Sequence, residues 1–162
     1  MKNSNFTVLV VDNNRENLGG VGSLLLAHGY NLALASDKEE TMKFIRENKT
    51  DLILLDIILT GGKEGFEVCR ALKSDQKTVN IPVIFLTAIT DYEDVLEGFR
   101  IGAVDYITKP FRKEELISRV SVHIKLKYLH DELSDTVKYL ENSRAVIMNW
   151  LMGLAKSIDA PN

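Results

Sequence analysis

The chain has little of several features that define whole classes of protein. Cys69 is the only cysteine among 162 residues, so neither an intrachain disulfide nor a cysteine-based zinc cluster can form. The longest apolar run, residues 52–59, is interrupted by Asp56 and is too short to cross a membrane. No apolar signal region follows Met1. We therefore expect a cytoplasmic protein that neither spans nor binds a membrane.

The chain also has little excess of either positive or negative charge. The chain has 20 lysines and arginines against 23 aspartates and glutamates, a formal net charge of -3. The basic residues are spread along the chain and form no cluster that would bind a phosphate backbone. We expect no direct contact with nucleic acid.

What the sequence does contain is an alternation of short apolar segments with helical patterns. Residues 8–11 and 52–55 are apolar at every position, as in central strands of a parallel sheet with helices on both faces. We predict an α/β fold with a doubly wound, five-stranded parallel sheet. The predicted strands are 6–11, 31–35, 52–56, 83–86 and 103–107, and the predicted helices are 15–28, 38–47, 66–73, 92–100 and one beginning at residue 113.

The last helical pattern continues to about residue 157, beyond what a compact domain needs. One row of apolar residues recurs every seven positions: Leu126, Leu133, Leu140, Ile147 and Leu154. Leu129 and Trp150 lie three positions after members of this row, while Thr136 and Ser143 weaken the second row. The pattern is typical of a coiled-coil seam or of an amphipathic helix that packs on a domain absent from this chain. We divide the chain into a domain of residues 1–122 and a helical, coiled-coil-like extension of residues 123–162.

Four polar residues follow strands of the predicted sheet at their carboxyl ends: Asp12, Asp56, Thr87 and Lys109. In a sheet of strand order 2-1-3-4-5, ligands bind at this edge, where the winding reverses. Two carboxylates, a hydroxyl and an ammonium suit a divalent cation and a phosphoryl group. Each residue alone has a simpler interpretation, since Asp12, followed by Asn13 and Asn14, could cap the first helix and Lys109 could be a solvated loop residue. The four together favour a binding site.

The segments around these residues resemble the motifs of the two-component receiver family. They read Val10-Val11-Asp12, Leu54-Leu55-Asp56, Leu86-Thr87-Ala88 and Tyr106-Ile107-Thr108-Lys109-Pro110-Phe111, in the family's order and approximate spacing. The run from Gly65 to Arg70 resembles the start of that family's third helix. The resemblance covers roughly residues 6–122. It implies a flavodoxin-like fold and a regulator in two-component phosphorelay signalling, not an enzyme in the usual sense.

The resemblance also implies a role for each residue. Asp56 is the phospho-acceptor, and its carboxylate attacks the phosphorus of a phosphohistidine on a sensor histidine kinase or phosphotransfer protein. Thr87, Ala88 and Lys109 surround the phosphoryl group. Thr87 and Tyr106 form the switch, which changes the surface that leads into the last helix. A homodimer through that helix, or an attached output domain, would then receive the signal.

The metal site departs from the family's pattern at Asn13, where a second acidic residue is usual. The resemblance places Mg²⁺ on Asp12, Asp56 and the backbone carbonyl of Ile58, and Asn13 offers only a neutral amide oxygen. A unit charge beside the ion contributes about 4 kcal/mol at an effective dielectric constant near 20. We therefore predict that magnesium is the cofactor and that it binds weakly.

The loop after Asp56 departs as well. Thr60 stands where the family commonly has proline, and one extra residue precedes Gly65, so we expect a looser loop. These differences leave an alternative open, a phosphorylation-independent pseudo-receiver that acts as a dimerisation or docking module. A hydrolase of the haloacid-dehalogenase type would need a second acid where Ile58 stands, which disfavours that interpretation.

The side chains of Ile58 and Ile89 allow a prediction of the lifetime of a phosphoryl group on Asp56. They lie two residues beyond Asp56 and Thr87, at positions that influence dephosphorylation in the family. Because apolar side chains cannot orient an attacking water, we expect slow loss of phosphate. The lifetime of the phosphorylated protein, followed by intact mass after removal of the phosphodonor, measures this directly. A short lifetime would contradict the prediction.

Overall fold

A computed structural model describes residues 1–159, and its central element is a sheet of five parallel strands. The strands are β1 (Thr7–Val11), β2 (Asn31–Ala35), β3 (Leu52–Leu55), β4 (Val83–Thr87) and β5 (Asp105–Thr108). The helices are α1 (Arg15–Ala27), α2 (Lys38–Glu47), α3 (Glu64–Lys73), α4 (Tyr92–Arg100) and α5 (Lys113–Asp159), and a short 3-10 helix spans Asn3–Asn5. The strand order is β2-β1-β3-β4-β5, so the predicted doubly wound α/β fold is confirmed.

Several predicted bounds are wrong by one or two residues. Strand β5 begins at Asp105 and not at Ala103, because Ala103 N donates to Gly98 O and closes the end of α4. Helix α3 begins at Glu64, two residues earlier than predicted. Asp56 lies just outside β3, although its backbone N–H still donates to Val11 O. Asp56, the residue that carries the predicted chemistry, therefore lies at the carboxyl edge of the sheet.

Two apolar clusters, one on each face of the sheet, hold the helices in place. Because side chains alternate along a strand, Val8 and Val10 join the cluster under α1 and α5, while Leu9 and Val11 join the other. The second cluster includes Phe66 of α3. Burial of each such side chain contributes about 1.5–3 kcal/mol, so the strand ends are positioned by a rigid core.

Helix α5 begins within this core and continues far beyond it. Its residues Leu116, Val120 and Ile124 are buried. On the same segment, Asp105 of β5 accepts hydrogen bonds from Arg119 (2.6 Å) and, for one His tautomer, from His123 (2.9 Å). Burial opposes ionisation of Asp105, but these hydrogen bonds outweigh it and lower the pKa of the carboxyl group. The first part of α5 is therefore fixed to β5 by both apolar and polar contacts.

The contacts divide the chain into two compact units, Met1–Lys127 and the part from Tyr128 onward. The functional boundary at residues 122/123 stays a prediction. In the single chain the predicted seam residues Leu126, Leu133, Leu140, Ile147 and Leu154 are all exposed, by 43% to 64%. Within residues 1–159, no helix combines the length and apolar character needed to cross a membrane. Residues 160–162, which the predicted extension includes, lie outside the described residues.

The start of α3 generates a prediction about stability. A Cβ added at Gly65 would lie 2.1 Å from Asp56 O and 2.6 Å from the Ile57 Cα, whereas a Cβ at Gly62 would meet nothing within 4 Å. We expect Gly65→Ala to lower the free energy of unfolding by roughly 1–3 kcal/mol through backbone displacement. Gly62→Ala, the matched control in the same loop, should change it by less than about 0.5 kcal/mol. Urea unfolding of both variants measures this, and equal effects would contradict the close approach at Gly65.

Candidate functional site

Asp12, Asp56 and Lys109 form one connected cluster at the carboxyl edge of the sheet. Lys109 Nζ lies 2.6 Å from Asp12 Oδ2 and 3.0 Å from Asp56 Oδ2. The three side chains are only 6%, 12% and 17% exposed, in chain order. Two carboxylates share one ammonium, so one negative charge is left in excess in a poorly solvated place. Such a cluster favours a further cation.

Neighbouring asparagines orient the Asp12 carboxylate. Asn14 N donates to Asp12 Oδ1 over 2.9 Å, and Asn17 Nδ2 donates to Asp12 Oδ2 over 3.2 Å. The cap of α1 is Asn14, whose side chain accepts from Glu16 N and Asn17 N. The interpretation of Asp12 as the helix cap is therefore wrong, and its carboxylate is available to the site. Sequence reasoning named Asn14 as one of three candidate caps and did not assign Asn17, because an asparagine within a helical pattern gives no signal of its own.

Thr87 is the last residue of β4, and Ala88 follows it. Thr87 is buried, and its Oγ1 accepts a hydrogen bond of 3.3 Å from Ile89 N. Its backbone carbonyl accepts from Lys109 N over 3.0 Å, which fixes the start of the Lys109 loop relative to β4. Ala88 is exposed beside it. The structure therefore places Thr87 at the end of β4, the strand beside β3, and Ala88 directly after it, while the direct side-chain contacts join Asp12, Asp56 and Lys109.

Tyr106 and Thr87 both form hydrogen bonds with the backbone of the loop that follows β4. Its hydroxyl donates to the Ile89 carbonyl, and its ring lies 6.4 Å from that of Phe85. Burial, with the negative charges of Asp94 and Asp56, raises the pKa of Tyr106 to about 12, so the hydroxyl remains a donor at neutral pH. The Ile89 backbone thus bonds to Thr87 through its N–H and to Tyr106 through its carbonyl. Sequence reasoning missed this link because a backbone group leaves no signal in the residue type.

The loop after Asp56 is held by more hydrogen bonds than its glycines suggested. Ile58 N donates to Asp56 Oδ1 over 3.2 Å, and Asn13 Nδ2 donates to Leu59 O over 3.0 Å. At the end of the loop, Lys63 Nζ lies 2.7 Å from Asp94 Oδ1 of α4. Side-chain and backbone contacts therefore hold this loop to the β1–α1 segment, to Asp56 and to α4.

The donor set suits a magnesium ion that has fewer acidic ligands than usual. Asp12 and Asp56 offer carboxylate oxygens, and the oxygens of the Asn13 amide and the Ile58 carbonyl belong to adjacent segments. Within residues 1–159, no group of three or more His, Cys, Asp or Glu side chains could hold a metal ion. The carboxylate, amide and carbonyl oxygens are of the kind that Mg²⁺ prefers, and weak binding stays a prediction.

Comparisons with known proteins match the domain and leave the tail largely uncovered. The family model described as response regulator receiver domain matches residues 8–121. The transcriptional regulatory protein YvrH of Bacillus subtilis is 38% identical over 136 residues, which are 83% of this chain and 56% of that protein. The DNA-binding response regulator MtrA of Mycobacterium tuberculosis is 37% identical over 118 residues, which are 73% of this chain and 50% of that protein. The chain thus spans about half the length of these curated relatives.

A solved structure shows the same fold. The crystal structure of a two-component response regulator from Clostridium difficile superposes with a TM-score of 0.69 at 28% sequence identity. The match covers 74% of this chain and 96% of that chain.

The raised pKa of Tyr106 predicts a loss of stability at high pH. The folded value of about 12 exceeds the ordinary value of 10.0, so the stabilisation is present below pH 10 and is lost as pH rises from about 10 through 12. Tyr106→Phe has no ionisable group there and should show a flatter decline of the unfolding free energy over this range. Tyr92→Phe, which changes an exposed tyrosine, is the control and should decline as wild type does. Equal slopes for wild type and Tyr106→Phe would contradict the prediction.

Proposed function

Because the chain belongs to the response regulator receiver domain family, we propose that Asp56 accepts a phosphoryl group in two-component phosphorelay signal transduction. The observation that carries the proposal is the contact of Lys109 Nζ with both Asp12 and Asp56 in one sparsely exposed cluster. A bond forms between an Asp56 carboxylate oxygen and phosphorus, and the bond from phosphorus to the donor's histidine nitrogen breaks. Receiver domains interact with histidine kinases, so the donor is a sensor histidine kinase or a phosphotransfer protein.

The surrounding residues stabilise the transferred group. Lys109, already beside Asp56, neutralises a phosphoryl oxygen, and the Thr87 hydroxyl donates a hydrogen bond to another. Ala88 is small and leaves the approach to Asp56 open. Mg²⁺ would be held by Asp12, Asp56, the Ile58 carbonyl and Asn13, and would supply positive charge to the phosphoryl oxygens. The chemistry of the chain is then limited to its own phosphorylation, as in receiver domains, which are generally non-enzymatic signalling modules.

The backbone of Ile89 offers a physical route from phosphate to the output surface. In the structure Ile89 N donates to Thr87 Oγ1, and the Ile89 carbonyl accepts from Tyr106. When the Thr87 hydroxyl turns toward phosphate, it releases Ile89 N and changes the acceptor position for Tyr106. Tyr106 adjoins Asp105, which bonds to Arg119 of α5. The change therefore reaches the helix that leads into the tail.

The tail is proposed to act by homodimerisation or by packing on an attached output domain. In addition to the predicted row, Val137, Leu151 and Ile158 are exposed, each four positions after Leu133, Ile147 or Leu154. Their row also contains His130 and Arg144, so three of its five positions are apolar. In the row three positions on, two of five are apolar: Leu129, Thr136, Ser143, Trp150 and Ser157. Sequence reasoning missed them because it considered only the positions three residues on.

The phosphorylation-independent pseudo-receiver is not favoured. A docking module would have no need of a lysine shared between two sparsely exposed carboxylates, because desolvating these charges costs free energy unless all three partners are present. The cytoplasmic location, and the absence of direct nucleic-acid or membrane contacts, stay predictions.

Phosphorylation tests the main proposal. Wild type, Asp56→Asn and Asp135→Asn are incubated with a small phosphodonor and Mg²⁺, and intact mass is recorded. We expect a phosphoryl adduct on wild type and on Asp135→Asn, whose exposed carboxylate lies in the tail, and none on Asp56→Asn. An adduct on Asp56→Asn would contradict the assignment of the acceptor. No adduct on wild type, together with no Mg²⁺ binding by titration, would favour the pseudo-receiver.

Sedimentation of wild type, Leu140→Glu and Tyr139→Glu, each with and without the phosphodonor, tests the role of the tail. Leu140→Glu places a charge in the predicted seam, whereas Tyr139→Glu changes an equally exposed neighbour outside both rows. Self-association that is lost only in Leu140→Glu supports the homodimer, and a change on phosphorylation supports its regulation. A monomeric wild type would favour packing on an output domain.

A further inference from the structure

Asn13 joins two loops that are distant in sequence. Its side-chain amide donates to the carbonyl of Leu59, 46 residues away, over 3.0 Å. Asn13 is exposed, whereas Leu59 is fully buried. We propose that Asn13 is a positioning residue, which holds the loop after Asp56 so that the Ile58 backbone faces the phosphoryl-acceptor site. This inference rests on the proposed function of Asp56.

The bond is made next to the segment that matters most for the site. Ile58 N already donates to Asp56 Oδ1, and the Ile58 carbonyl is the expected backbone ligand of Mg²⁺. The Leu59 carbonyl belongs to the Leu59–Thr60 peptide plane, which meets the Ile58–Leu59 plane at the Leu59 Cα. The hydrogen bond of Asn13 therefore holds the Leu59–Thr60 plane and limits how far the Ile58–Leu59 plane can move relative to it.

The rest of the loop explains why such a hold is needed. Thr60 lacks the rigid ring of the proline that the family commonly has there, and Gly61 adopts a positive φ of 89°. Within the loop, Leu59 N donates to Gly62 O, and Gly61 N donates to Leu59 O. These short-range bonds shape the turn but do not attach it to the β1–α1 segment. Asn13 provides that attachment.

An aspartate at position 13 could not do the same. A carboxylate has no hydrogen to donate, and its charge would face the Leu59 carbonyl oxygen. The amide nitrogen of Asn13 faces Leu59, which leaves the amide oxygen free for a cation. The two departures from the family's pattern, Asn13 and the altered loop, are thus linked, because a ligand charge has been exchanged for a hydrogen-bond donor that the loop requires.

The test compares Asn13→Ala and Asn13→Asp with wild type. Both variants lose the donor, but only Asn13→Asp restores the acidic ligand. Asn48→Asp is the matched control, because the Asn48 amide also donates to a carbonyl (Phe44 O, 3.2 Å) in an exposed position at the end of α2. The first measurement is amide hydrogen exchange of Leu59 and Gly61 in metal-free protein. The second is the rate of phosphorylation by a small phosphodonor at saturating Mg²⁺.

We expect exchange at Leu59 and Gly61 to be about fivefold faster in both Asn13 variants, as for the loss of one ordinary hydrogen bond, and unchanged in Asn48→Asp. Phosphorylation at saturating Mg²⁺ should be slower in both, although Asn13→Asp binds the ion more tightly than wild type. Unchanged exchange, or a rate in Asn13→Asp equal to or above that of wild type, would overturn the proposal. If wild type itself forms no adduct, the proposed function fails, and the exchange measurement still decides whether Asn13 holds the loop.

Discussion

The ammonium of Lys109 allows two carboxylates, Asp12 and Asp56, to lie together in a sparsely exposed corner of the protein. Without that cation, the two negative charges would repel each other at a place where water screens them poorly. The cation contacts both carboxylates, so the cluster keeps one negative charge in excess. Metal binding and phosphoryl transfer are two ways to change this balance of charge, and the proposed switch depends on that change.

The rest of the fold serves to keep these groups at one edge. Parallel strands place their carboxyl ends on the same side, and the two apolar clusters prevent the strands from sliding. The parts that the proposed switch would change are linked by hydrogen bonds. They are the β4–α4 loop with Ile89, the loop after Asp56, and the Tyr106 hydroxyl that links the first of these to β5. A rigid sheet with such loops around a charged cluster can convert a local charge change into a change of surface.

Some features could be predicted from the sequence because they repeat or have a distinctive residue type. The strands without polar residues predict a sheet covered on both faces, and the strand-end positions of Asp12, Asp56 and Lys109 predict that these side chains share one site. The bounds of β5 and the cap of α1 could not be predicted. Whether Ala103 belongs to a strand depends on a backbone bond to Gly98, and three consecutive polar residues, 12–14, compete for the cap. Competition of this kind is decided by geometry.

The sequence by itself determined the fold class, the order of the elements and the strand-end positions of Asp12, Asp56 and Lys109, because hydrophobic periodicity and strand-end position depend only on residue type and spacing. The tertiary structure decided which groups bond to one another. Lys109 bridging both carboxylates, Ile89 linking Thr87 to Tyr106, and Asn13 holding Leu59 all join residues from different elements. Their distances and directions follow from how the strands and loops pack, and no local pattern encodes them.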